Sequence, residues 1–152
     1  MRYLGIRFHA ISTKRRVLRA VVVDDTGALA PACLEHVLDG SASQAQQARD
    51  GRDWLRSALA GHPDIAAAVM FEADRGPRSS DTNAGRLRLR VEGAVLSGAL
   101  DHVNVVEIRN GKRIGDLIGG TKDAALALGA LTVADASYTE AAAAALAAVK
   151  LA

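Results

Sequence analysis

The chain has 152 residues, the size of one ordinary domain spanning 1–152. Hydrophobic residues make up 49% and aromatics only 3%, so the core must pack from small aliphatics, and base-stacking recognition of single strands lacks its ring platforms. The net charge of +2 permits a nucleic-acid partner without requiring one. A single cysteine, Cys33, excludes an internal disulfide and fits a reducing compartment. The alanine-rich runs are broken by charges and glycines before the ~20 residues of a membrane span. The N-terminus shows no signal-peptide pattern. These features predict a cytoplasmic protein without a membrane partner.

Tyr3 to His9 reads as a first strand, and Arg16 to Val23, rich in β-branched residues, as a second. The turn signal Asp-Asp-Thr-Gly at 24–27 leads to a third strand over Ala28–Val37, which makes an antiparallel meander. Ser41 or Ser43 can cap a helix over 44–60 whose Trp54, Leu55, Ala58 and Leu59 share a face. Gly61 and Pro63 end it. The apolar run from Ile65 to Glu72 suits a central strand parallel to the first. A polar loop over 75–84 precedes a helix over 86–100, with Leu87, Val91, Ala94 and Val95 on one side. Residues 103–108 read as a fifth strand and 109–112 as a turn. Thr121 can cap a helix over 122–129, and the alanine-rich tail is helical by propensity. The order predicts an α/β fold: a mixed five-stranded sheet, three antiparallel strands first, flanked by helices.

Four segments in this order resemble the RNase H-like superfamily, and within it the RuvC-like resolvases: Tyr-Leu-Gly-Ile-Arg at 3–7, Ala-Val-Met-Phe-Glu-Ala-Asp-Arg-Gly at 68–76, the helix and strand from Arg88 to Ile108, and the tail from Ala134 to Ala148. The resemblance implies two divalent ions, Mg²⁺ or Mn²⁺, held by carboxylates converging from separate elements. Arg7 stands where that pattern has its first aspartate, and a guanidinium cannot ligate a metal. Glu72 falls on the fourth-strand glutamate. Asp135 and Glu140 fall on the terminal-helix acids with a spacing of five where the pattern has three. The resemblance therefore implies remnant site residues Glu72, Asp135 and Glu140, with Arg7 paired to one of them and no resident cofactor. An ordinary reading stands beside each: Glu72 as a solvated strand end, Asp135 as a helix cap, Glu140 as a first-turn acid.

Arg75, Arg78, Arg86, Arg88 and Arg90 crowd into sixteen residues, and Arg86 and Arg90 share a helix face. Arg86 and Arg90 with the loop arginines Arg75 and Arg78, extended by Lys112 and Arg113, can grip phosphate oxygens, or the segment forms a solvated face balanced by Asp74, Asp81 and Glu92. Gly119-Gly120-Thr121-Lys122 lacks the spacing of a Walker A loop and reads as a loop and cap. The four histidines show no metal-ligand spacing. The leading expectation is a catalytically degenerate RuvC-like protein, a pseudo-nuclease, that binds structured DNA or RNA or acts as a regulator. The alternatives are an active metal-dependent endonuclease with a rearranged set drawn from Glu72, Asp74, Glu107, Asp135 and Glu140, and a homodimeric scaffold using the small-residue face of 93–99.

Overall fold

A computed structural model of the protein describes residues 1–10, 15–27, 29–74 and 82–152, with side chains except at 29–32. Strands β1 (Arg2–Ala10), β2 (Arg15–Asp24) and β3 (Leu29–Asp39) form the antiparallel meander. Strand β4 (Ile65–Glu72) then pairs parallel to β1, and β5 (Val105–Asn110) parallel to β4. The sheet order is β3-β2-β1-β4-β5, the mixed sheet that the sequence predicts. The turn between β2 and β3 is set by chemistry. The Asp24 carboxylate accepts from the Thr26 N–H at 2.9 Å, and Gly27 takes the positive φ of 82° that a side chain would resist.

Alternation along the strands divides the core into two layers. Leu4, Ile6 and Phe8 of β1, with Leu18, Ala20 and Val22 of β2 and Ala68 and Met70 of β4, pack against α1 (Gln44–Ala60) and α2 (Asn83–Leu100). Tyr3, Val21, Val23, Ala67, Val69 and Phe71 face the other way, toward α3 (Gly111–Ile118), α4 (Lys122–Thr132) and α5 (Thr139–Val149). Helix α5 is alanine on nearly every side because it is covered on nearly every side: Ala141 to Ala145, Ala147 and Ala148 are all buried. One side lies on the sheet at Gly5 and another on α4 at Gly129, each glycine meeting α5 backbone where a Cβ would stand.

Helix entries follow their caps. Ser43 and Gln46 form a reciprocal capping box on α1. Thr121 caps α4 through the Ala124 N–H. Most strand ends move by one or two residues, α4 runs on to Thr132 beyond the predicted 129, and three boundaries near the edge of the sheet change. Thr82 accepts from the Gly85 N–H, so α2 starts at Asn83 and not at 86; residues 75–81 of the predicted loop lie outside the described residues. Strand β5 spans Val105–Asn110, two residues later at both ends than the predicted 103–108. The predicted turn at 109–112 is instead a helix start: the Asn110 side chain accepts from the Arg113 N–H and caps α3. Gly61 sits in the right-handed region, φ −79°, so the stop of α1 owes nothing to left-handed geometry there. Gly98, on the predicted dimer face, lies over Arg52 of α1 within the same chain. No helix among the described residues is long and apolar enough to cross a membrane.

Candidate functional site

Strands β1, β4 and β5 run parallel, so their C-terminal ends share one edge of the sheet. Arg7 stands near that edge on the α5 side, two residues beyond Gly5. The Ala141 carbonyl lies 1.9 Å from where a Cβ on Gly5 would be, which seats the start of α5 directly against β1. Glu140, in the first turn of α5, is thereby carried to Arg7, and the Arg7 Nε donates to its carboxylate. An Arg7 terminal nitrogen also donates to the Phe8 carbonyl, and the guanidinium carbon lies 5.8 Å from the centroid of the Phe71 ring. Each contact fits a half-buried guanidinium, which is costly without partners.

Arg7 is one member of a row. Cross-strand register aligns Glu35 of β3, Arg19 of β2, Arg7 of β1, Phe71 of β4 and Arg109 of β5. Two arginines face each other directly across β1 and β2, an arrangement that like charges disfavour. Each is compensated separately. Arg19 donates to Glu35 at 3.0 Å and stacks 5.7 Å from the Tyr138 ring centroid, while Arg7 has Glu140 and Phe71. At the far end Arg109 donates to Glu107, two residues back on its own strand. His9 lies next to the row, and its pKa is pushed down to about 4, first by burial and then by Arg7, with Arg19 adding and Glu140 and Glu35 opposing. Its Nε2 has no hydrogen-bond partner among the described residues.

The acids implied by the resemblance separate. Glu140 meets Arg7. Asp135 does not: its carboxylate accepts from the Ser137 N–H at 2.9 Å and hydroxyl at 2.7 Å, capping the 3-10 turn Ala136–Tyr138. Those two donors hold its carboxyl below the ordinary range, Arg19 adding a smaller pull. Glu72 is on the strand adjacent to Arg7, but the residue paired with Arg7 is Phe71. Glu72 pairs with Asn110 one step on, and alternation turns it toward the α1 and α2 side. It lines an open polar hollow of about 400 Å³ with Ala73, Asp74 and Asn110. At that hollow Lys122 reaches across Gly111, where a Cβ would meet its chain at 2.6 Å, and its ammonium binds Asp74. Glu107 faces the α5 side with Arg109, not the hollow.

The basic residues fall on the surface around the same edge. Arg86 is exposed and donates to Asn83 at 2.6 Å; Arg90 is exposed and donates to Gln44 at the start of α1. Lys112 and Arg113 are exposed in the first turn of α3, not on a turn as predicted. Arg75, Arg78 and Asp81 lie outside the described residues. Arg88, outside the predicted patch, is mostly buried beside Glu92, 3.3 Å apart on α2, so neither belongs to a solvated face. The sequence gives no functional reading for Arg19, Glu35 or Arg109, and reads Lys122 only as part of a loop and cap. A charged residue within the apolar second strand was the available signal for Arg19.

Among the described residues, the side chains around Arg7 do not fit a pair of divalent ions: Arg7 is a cation, its partner Glu140 is already engaged, and Glu72 points to the other face. Among the described residues no three acidic, histidine or cysteine side chains come together as a metal cluster. No protein-family model matches the chain, and no curated protein matches it. Solved structures do. A Thermus thermophilus RuvC structure is 18% identical, with 97% of this chain and 92% of that chain covered at a TM-score of 0.65. T. thermophilus RuvC in complex with Holliday junction substrate is 16% identical, with 99% and 91% covered at a TM-score of 0.69. Agreement over nearly the whole of both chains establishes that this chain has the α/β, RNase H-like fold of the RuvC type.

Proposed function

We propose that the protein is a catalytically degenerate member of the RuvC-like group that binds structured nucleic acid. The observation that carries this reading is Arg7. A permanently cationic side chain stands at the centre of the position where a metal-dependent nuclease needs a carboxylate, and it engages Glu140, the acid nearest to it in the last helix. A cation fixed there attracts a phosphate without supplying an activated water.

The surface charges favour the same ligand. Helices α2 and α3 start at the edge formed by the C-terminal ends of β4 and β5. Neither has an acid in its first turn. Lys112 and Arg113 instead sit at the positive end of the α3 dipole, where cations are disfavoured unless an anion joins them. The solved neighbour holding a Holliday junction makes a branched duplex the first ligand to try.

The test is binding of a labelled four-way DNA junction across a salt series, with cleavage assayed in Mg²⁺ and Mn²⁺. The expected result is salt-dependent binding without cleavage, weakened by Arg86→Ala with Arg90→Ala and by Lys112→Ala with Arg113→Ala, each lost phosphate contact lowering the salt slope by ~0.9. Metal-dependent cleavage that Glu72→Ala abolishes would overturn the degenerate reading. Absence of binding at low salt would overturn the nucleic-acid reading.

A further inference from the structure

We propose that the cross-strand row Arg19, Arg7 and Arg109 is a capped receptor for the nucleic-acid backbone. Glu35, Glu140 and Glu107 hold its guanidiniums in the free protein and turn aside when phosphates replace them. The proposal rests on the reading of the chain as a nucleic-acid binder and adds how its former catalytic edge is regulated.

Three observations carry it. First, in every pair the arginine is the more enclosed partner: side-chain exposure is 8% against 36% for Arg19 and Glu35, 12% against 33% for Arg7 and Glu140, and 24% against 39% for Arg109 and Glu107. The cations are fixed, and the acids are the parts that solvent can receive. Second, two guanidiniums rest on rings, Arg7 on Phe71 and Arg19 on Tyr138. A ring orients a planar cation without cancelling its charge, so the fork stays aligned when its carboxylate leaves. Third, a carboxylate and a phosphate present the same oxygens to an arginine fork. Three arginine–glutamate pairs along one row, the Arg19 and Arg7 pairs on neighbouring strands and the Arg109 pair beyond Phe71, thus act as internal mimics of spaced phosphates.

The row's extent selects the ligand. From β2 to β5 it spans about 14 Å at the ordinary strand spacing, too long for one phosphate and suited to several linked ones. Asp135 also acts on Arg19, but it is held by Ser137 and does not cap the fork. His9 adjoins the row and is uncharged near neutral pH, so it neither joins nor repels the ligand there.

The experiment compares the wild type with Glu35→Gln/Glu140→Gln/Glu107→Gln in junction binding over a salt series. Asp53→Asn/Asp64→Asn/Asp101→Asn, three exposed acids of which Asp64 and Asp101 precede β4 and β5 at the opposite edge of the sheet, gives the same change in net charge. The expected result is tighter binding in the row variant, on the order of tenfold beyond the charge-matched control. The salt slope should steepen by ~0.9 for each freed arginine, and Arg109→Gln added to the row variant should reverse part of the gain. If the row variant fails to fold in a thermal melt, Glu107→Gln alone, on edge strand β5, must still tighten binding.

A gain no larger than the control's overturns the receptor, and if the wild type still binds through Arg86 and Arg90 the proposed function survives. Binding by the row variant but not by the wild type upholds the receptor and removes the exposed patch as the primary contact. No binding by either overturns both. Inorganic phosphate that competes as well as the junction overturns the linked-phosphate form of the ligand.

Discussion

Gly5 of β1 and Ala141 of α5 touch backbone to backbone, the Ala141 carbonyl standing 1.9 Å from where a Cβ on Gly5 would lie. That contact sets the height of α5 above the sheet, and with it the reach of Glu140 to Arg7. The Ala145 backbone nitrogen is 2.3 Å from the same point, so no side chain can give way. Gly5→Ala is expected to cost about 3 kcal/mol by overpacking. Thermal denaturation should show a melting temperature lower by on the order of 10 °C. A melt unchanged within error would mean that α5 is not seated on β1 as described.

The buried pair of Arg88 and Glu92 supplies a second expectation. Both lie on α2 in the α1 layer, with Glu92 almost wholly enclosed. Removing Arg88 leaves the enclosed Glu92 carboxylate less well compensated, so Arg88→Met alone should cost ~3 kcal/mol, while Arg88→Met with Glu92→Leu should cost much less. A double-mutant cycle in urea measures this. Additive losses would show that the two charges are independently solvated.

His9 gives the fold a predictable acid sensitivity. Its folded pKa, about 4, lies below the ordinary value of 6.5 because burial and Arg7 disfavour the imidazolium. Between those values the unfolded chain binds the proton and the folded chain does not. The associated stability is fully present above pH ~6.5 and is lost as pH falls toward 4. His9→Gln should flatten this part of the stability curve, read as denaturation midpoints at a series of pH values. A parallel loss in the variant would place the acid sensitivity elsewhere.

Much of the fold was legible in the sequence because its signals are local. Apolar alternation in β1 and β2, Asp-Thr-Gly at the β2–β3 turn and the Ser43 cap each act within a few residues. Asn110-Gly111 misled because the same pair serves turns and helix entries; only the Arg113 N–H, one turn on, decides for the cap. Glu92 reads as part of a solvated face because it sits beside Val91 on the flank of the apolar stripe, where period alone cannot tell buried from exposed. The site was less legible. Arg7 and Glu140 are 133 positions apart, and their meeting depends on the glycine contact two residues upstream of Arg7. Glu72 read as Arg7's neighbour because its strand was right; a one-residue difference in register sends it to the opposite face.

That register yields the sharpest expectation about metal binding at this edge. Arg7→Asp alone places one carboxylate beside Glu140, yet the position paired across β4 remains Phe71. Two acids with a ring between them do not make a closed set for a hard cation. Arg7→Asp with Phe71→Glu would put three carboxylates on one face, one from β1, one from β4 and one from the first turn of α5. The double variant should be strongly destabilised without metal, since three acids crowd a buried position. Mn²⁺ should then raise its melting temperature, a hundredfold excess over Kd adding ~2.7 kcal/mol to folding stability, while leaving the wild type and Arg7→Asp unmoved. Thermal melts with and without Mn²⁺ decide it. A metal response in Arg7→Asp alone would mean that Glu72 reaches the α5 face after all, and that the register argument for its exclusion is mistaken.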